Sequence, residues 1–269
     1  MKFLRIGGVV LGALLITTLG ISAADVLTNG TNGSMLGQLI SSTEQGGCPS
    51  GMIPIAVGQT FSCVDMYEVS AGEECPNTSP KHNGETQENI NMLECLASSE
   101  EGGAPWTHVS REQAKVLCMR SGKRLPTASE WYIIAIGTPD IDDSCNTHGR
   151  GITPSGASEN CRSASGVFDT VGNVWEWTSD DVIEGIYAGR LLPEEGYVTQ
   201  VASDGVATIS AITPSEQFAS DYIWSQKTGA YGILRGGFYA SGEDSGVFSI
   251  QAKTAPTAAT AAIGFRCLF

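Results

Sequence analysis

Eight cysteines constrain this chain more than any other feature: Cys48, Cys63, Cys75, Cys95, Cys118, Cys145, Cys161 and Cys267. All lie downstream of an N-terminal stretch with the layout of an export signal. "MKFLRIGGVVLGALLITTLGISAA" carries Lys2 and Arg5, then an apolar run from Ile6 to Ile21, then Ser22 and Ala24 where a signal peptidase cuts. The run is shorter than the about 20 residues of a membrane-spanning helix. Residues 1–24 are therefore expected to be a cleaved signal peptide, and the membrane is a partner only if that segment stays uncleaved. An even number of cysteines in an exported chain predicts disulfides rather than thiol or metal chemistry. No two stand at zinc-knuckle spacing, and His82, His108 and His148 are scattered, which argues against zinc.

Charge removes another class of partner. The formal net charge is −14, and loss of Lys2 and Arg5 with the signal takes it to about −16. Such a field repels phosphate backbones and no basic stripe offsets it, so nucleic acid is excluded as a partner.

Residues 25–45, polar and with Asn-Gly pairs, read as a flexible linker before a domain spanning 46–269. "GMIPIAVGQTFSCVDMYEVS" holds two short apolar runs split by Gly-Gln and predicts a hairpin. Residues 71–104 read as loop. Two helices follow, each opened by a capping box, Ser110 with Gln113 and Thr127 with Glu130, and closed by Gly122 and Gly137. The helical period turns Ala114, Leu117 and Cys118 inward in the first, and Trp131, Ile134 and Ala135 in the second. A Gly/Ser/Asn-rich loop over 138–165 and short strand-like pieces over 183–220 complete an α+β pattern with much irregular backbone.

Three stretches in this order, "GKRLPTASEWY" (122–132), "GVFDTVGNVWEWTSD" (166–180) and "RGG" through "IGFRC" (235–267), resemble the formylglycine-generating enzyme family, the sulfatase-modifying factor domain. The resemblance implies a C-type lectin-like fold with two helices, short strands and long loops held by disulfides and bound calcium. It also implies a bond between Cys118 and Cys267. The other six cysteines then pair most simply as neighbours, 48–63, 75–95 and 145–161, although sequence alone leaves connectivity open. For the "GNVWEW" turn it implies a structural calcium held by Glu176 with Asn173 and the Val174 carbonyl, hard oxygens of the kind calcium prefers.

Catalytic members of the family oxidise a substrate cysteine with oxygen and copper(I), held by two cysteines just after the Arg-Gly-Gly turn. Copper(I) is soft and prefers thiolates. Here residues 238–253, "FYASGEDSGVFSIQAK", contain no cysteine, methionine or histidine, so no copper is expected. The segment and its neighbour Trp224 instead offer aromatic faces and polar groups: Phe238, Tyr239, Ser241, Glu243, Asp244, Gln251 and Lys253. That mixture suits a glycan or a peptide or protein ligand outside the cytoplasm. The expected function is therefore an exported, secreted or cell-surface binding protein without catalysis. The alternatives are a family enzyme, of the formylglycine-generating type or with a changed active site, and a structural envelope component. The stretch between "RGG" and "GFRC" also resembles the variable region of lectin-fold proteins diversified by retroelements.

Overall fold

The split apolar runs near Cys48 fold back on each other as their pattern predicts. In the computed structural model, which describes residues 47–56, 59–140 and 144–269, β1 (Met52–Pro54) pairs antiparallel with β2 (Cys63–Asp65), Ile53 opposite Val64. The expected signal segment 1–24 and linker 25–45 lie outside the described residues. A two-residue ladder joins β3 (Ser70–Ala71) to β4 (Ala97–Ser98).

Between them lies a helix where sequence predicts loop, so the fold has three helices among the described residues rather than two. Helix α1 (Asn83–Asn91) starts at His82, whose Nδ1 accepts the Glu85 N–H at 3.2 Å. Its buried face is mostly polar, Thr86 and Asn89 with a single aliphatic residue, Ile90. The Asn77 N–H donates to Asn89 Oδ1 at 2.9 Å, and Asn89 Nδ2 returns a bond to the Asn77 carbonyl at 2.8 Å. Trp106 Nε1 donates to the Thr86 hydroxyl. Such a helix carries no apolar stripe for a periodicity argument to find.

Helices α2 (Arg111–Arg120) and α3 (Ala128–Ala135) carry both predicted capping boxes. Ala114, Leu117, Cys118, Trp131, Ile134 and Ala135 are fully buried, as their spacing requires. Both helices pack on a nine-stranded sheet among the described residues. In chain order its strands are β5 (Trp175–Ile183), β6 (Ile186–Tyr187), β7 (Arg190–Leu191), β8 (Gly196–Val201), β9 (Ala207–Ala211), β10 (Tyr222–Ser225), β11 (Ala230–Arg235), β12 (Ile250–Thr254) and β13 (Ile263–Gly264). Across the sheet they run β7-β6-β5-β11-β12-β10-β8-β9, with β13 pairing parallel to the start of β5. The strand-like "GYVTQVA" and "GVATISAI" are the hairpin β8–β9. No helix of the described residues is long and apolar enough to cross a membrane.

Three fully buried tryptophans tie distant segments together, and each has a partner for its indole N–H, as a buried ring requires. Trp106 donates to Thr86, Trp177 to the Val109 carbonyl at 3.0 Å, and Trp131 to Glu176 Oε2 at 2.7 Å. Glu176 also receives the Arg266 guanidinium as a fork, Nε to Oε2 at 2.7 Å and Nη2 to Oε1 at 2.5 Å. The same guanidinium donates to the Asp65 and Phe168 carbonyls. Asp65 in turn accepts the Cys267 N–H and pairs with Lys123 at 2.7 Å. The "IGFRC" motif is thereby fixed to β2, β5 and the chain after α2.

Disulfides close the frame. Cys118 bonds Cys267 across a sequence separation of 149, Cys75 bonds Cys95, and Cys145 bonds Cys161. Cys48 and Cys63 are also disulfide-bonded, and no cysteine is free. The long Cys118–Cys267 loop restricts the unfolded chain most, by about 5 kcal/mol in the chain-entropy view.

Two outcomes are expected in urea titrations. Replacing Cys118 and Cys267 together by Ala lowers the unfolding free energy by several kcal/mol, about 5; an unchanged midpoint would contradict the role of that bond. Arg266→Met leaves Glu176 buried without its cation and costs about 3–5 kcal/mol. Adding Glu176→Gln recovers part of that loss, whereas strictly additive losses would show that the two side chains do not act as a pair.

Candidate functional site

Strand β11 ends at Arg235, and the next two residues must be glycine. Gly236 and Gly237 have φ near +90°. A Cβ on Gly236 would stand 2.4 Å from the Thr170 carbonyl, and one on Gly237 2.2 Å from Ser245 Cβ. This close approach seats the strand end on the "GNVWEW" turn, where the Gly172 N–H donates to the Gly236 carbonyl. Arg235, fully buried, reaches forward instead of outward. Its Nη1 and Nη2 donate to the carbonyls of Gly205, Val247, Phe248 and Ser249, and its guanidinium lies 4.9 Å from the Trp131 ring centre. Burial pulls its pKa down to about 10. The Arg-Gly-Gly motif is thus a device that bends the chain and then clamps residues 247–249.

Between the clamp points the chain turns on itself. The Ser241 hydroxyl accepts the Phe238 N–H at 3.0 Å, and a 3-10 turn runs Gly242–Asp244. Strand β12 then lies antiparallel to β11 and parallel to β10, with Trp224 opposite Gln251. Because strand side chains alternate, burial of Ile223, Ser225, Ile250 and Ala252 turns Tyr222, Trp224, Gln251 and Lys253 to the other, half-exposed face.

That face carries an aromatic ladder. Tyr197 meets Tyr222 edge-on at 5.1 Å, Tyr222 lies 4.7 Å from Trp224, and Trp224 meets Trp175 edge-on at 5.6 Å. Phe238 packs on the same core cluster as Trp224 and meets Tyr239 edge-on at 5.1 Å. Polar groups flank the rings. Lys253 pairs with Glu195 at 2.8 Å, and its N–H donates to Gln251 Oε1. Partial burial raises the Tyr222 pKa, helped by the negative charges of Glu195 and Asp244.

The structure therefore gathers Trp224, Gln251, Lys253 and Asp244 around one face, with Phe238 and Tyr239 beyond Trp224. Ser241 shapes the turn with its hydroxyl. Glu243 points elsewhere, into a pocket beside Asp140. Tyr197, Tyr222 and Glu195 belong to the face and were missed by sequence reasoning. The alternation of Tyr222 and Trp224 in "YIWS" carried the signal, but Tyr197 reaches the face only through the β8–β10 pairing.

The donors assigned to calcium do not fit that ion. Both Glu176 oxygens are engaged by Arg266 and Trp131. Asn173, at φ +54°, accepts at Oδ1 from Asn146 and Thr153, and its carbonyl accepts the Tyr239 N–H. Its Nδ2 donates to Glu68, which burial, then the charges of Asp169 and Glu176, push well above the usual carboxylate range. Calcium wants six to eight oxygens, and among the described residues no three acidic, His or Cys side chains are grouped so as to hold a metal ion. A guanidinium holds the positive charge at this turn.

Residues 63–269 match the model of the sulfatase-modifying factor enzyme 1-like domain. No curated protein sequence matches the chain. Among solved structures, the P3c variant of the Major Tropism Determinant superposes with a TM-score of 0.48 at 17% identity, covering 82% of this chain and 52% of that one. This chain thus corresponds to about half of that protein's length. CarF gives 0.42 at 17% identity over 81% and 95% of the two chains. Treponema denticola variable protein 1 gives 0.44 at 15% over 82% and 99%. With 207 of its residues inside the family match, the chain belongs to the family of sulfatase-modifying factor enzyme 1-like domains and has its C-type lectin-like fold.

Proposed function

We propose that this chain is an exported binding protein without the family's oxidative chemistry, and that the aromatic face of β8, β10 and β12 grips a glycan or a peptide. The observation that carries this reading is the run of half-exposed rings, Tyr197, Tyr222 and Trp224, flanked by Glu195, Asp244, Gln251 and Lys253. Rings supply contact area at small entropic cost, and the charged and amide groups at the margin orient a polar ligand. Copper(I) chemistry needs two thiolates after the Arg-Gly-Gly turn. That segment has none, and all eight cysteines are held as disulfides. The disulfides also favour an oxidising compartment.

On a glycan and peptide array the protein is expected to retain a defined ligand set, and Trp224→Ala to weaken each by about tenfold or more, the loss of one central aromatic contact. Retention of full affinity by Trp224→Ala and Tyr222→Ala would remove the face from the account. Aldehyde formation on a sulfatase-motif peptide with copper(I) would restore the enzymatic reading. Because Arg266 supplies the cation at the "GNVWEW" turn, the melting temperature is expected to be equal in calcium and in chelator. A rise of several degrees with calcium would contradict this. Variation between copies of the gene at 238–262, with residues 197 and 224 constant, would add the retroelement-diversified reading; uniform residues there would remove it.

A further inference from the structure

A pocket of about 540 Å³ opens beside the Gly242–Asp244 turn, lined by Asp140, Thr147, His148, Glu216, Glu243 and Ser245 among others. Its size is that of a small-molecule or side-chain site. On its wall Asp140 meets a second carboxyl group, Asp221, which is fully buried behind it. A methyl group built on Gly246 would stand 1.8 Å from Asp221 Oδ1 and 2.2 Å from Asp140 Oδ2. Both carboxyl groups therefore converge on one point above that glycine. The Val247 N–H donates to Asp140 Oδ2 at 3.3 Å and the Phe248 N–H to Asp221 Oδ2 at 2.6 Å. Ser249 Oγ donates to Asp221 Oδ1 at 3.1 Å.

What the pair lacks is a cation in direct contact. Among the described residues, neither carboxylate has a Lys or Arg within ion-pair distance. Arg235, whose field reaches Asp221, directs its Nη groups to backbone carbonyls instead. Among the described residues, the pocket lining adds the exposed Glu216 and Glu243 and contains no Lys or Arg. Buried carboxylates are stable when paired with a positive group, and here the cavity is the side from which one can come.

We propose that this pocket binds an alkylammonium or guanidinium head, as carried by a free amine or by a lysine or arginine side chain, with the cation seated against Asp140 and between Glu216 and Glu243. Until it arrives, the two aspartates share a proton, because like charges in contact cannot both ionise. Burial holds Asp140 up at about 7, and burial with the facing Asp140 holds Asp221 well above the ordinary range. Below about pH 7 the incoming cation therefore displaces one proton to solvent, and affinity rises with pH by up to about tenfold per unit before levelling off. Arg235 stays charged throughout. The site is separate from the aromatic ladder, so its failure would leave the reading of that face intact.

Isothermal titration of the whole protein at about pH 5.5 and 7.5 tests this. The probes are Nα-acetyl-lysinamide, n-butylammonium and the uncharged Nα-acetyl-norleucinamide. The two cations are expected to bind, at least about tenfold more tightly at the higher pH, with a buffer-dependent heat that reports proton release. The norleucine analogue is expected not to bind. A preference for lysinamide over butylammonium assigns a protein ligand, and equal affinity a free amine. Asp140→Asn keeps a hydrogen bond to Asp221 and is expected to abolish the proton release and lower affinity about tenfold. Glu243→Gln, on an exposed side chain, weakens binding with an unchanged melting curve. No binding of either cation, equal binding of the norleucine analogue, or full affinity in both variants would overturn the proposal.

Discussion

The Arg266–Glu176 fork, closed to water beneath Trp131, is the interaction on which the other parts depend. A buried guanidinium must give its N–H groups to acceptors and meet an opposite charge. Arg266 does so by joining Glu176 on β5, the Asp65 carbonyl beside β2 and the Phe168 carbonyl in the turn before "GNVWEW". Three regions far apart in sequence, around residues 65, 168–176 and 266, thereby become neighbours. The Cys118–Cys267 bond then ties the same point to α2. A frame fixed this way can carry long irregular loops without a large continuous helical core.

A second buried arginine does for the binding segment what the first does for the frame. Arg235 and the two glycines after it bend the chain away from the sheet, and the guanidinium then takes hold of the carbonyls at 247–249. Residues 238–246 form the turn between these anchors, held by backbone bonds to Asn173, Thr147 and Gly149, and β12 then returns to the sheet. The scaffold's requirements stop at the anchors. Side chains at Tyr239, Glu243 and Lys253 stay outside the buried core, so a domain of one family can keep its fold while these positions vary.

Legibility in the sequence followed the reach of the forces involved. The capping boxes at Ser110 and Thr127 and the inward stripes behind them are local patterns with one physical reading, and both helices stand where the spacing puts them. The hairpin at β1–β2 was equally local. Helix α1 was hidden because its buried residues, Thr86 and Asn89, are polar and are satisfied by Asn77 and Trp106 at a distance. Half of the candidate face was legible: Trp224, Gln251 and Lys253 stood out as residues, but nothing local places Tyr197 against Tyr222 or aims Glu243 away from them. The positive partner of Glu176 was out of local reach for the same kind of reason. Arg266, ninety residues downstream, fills the need that a short motif attributed to an ion.

A cross-linked scaffold that grips a ligand, with no thiolate available for oxygen chemistry, is the central claim. Thiol titration of the protein, denatured without reduction after export through an oxidising compartment, tests it most directly. The account predicts no reactive cysteine and eight only after reductant is added. Two thiols reacting before reduction would contradict it, because a pair would then be available to hold copper.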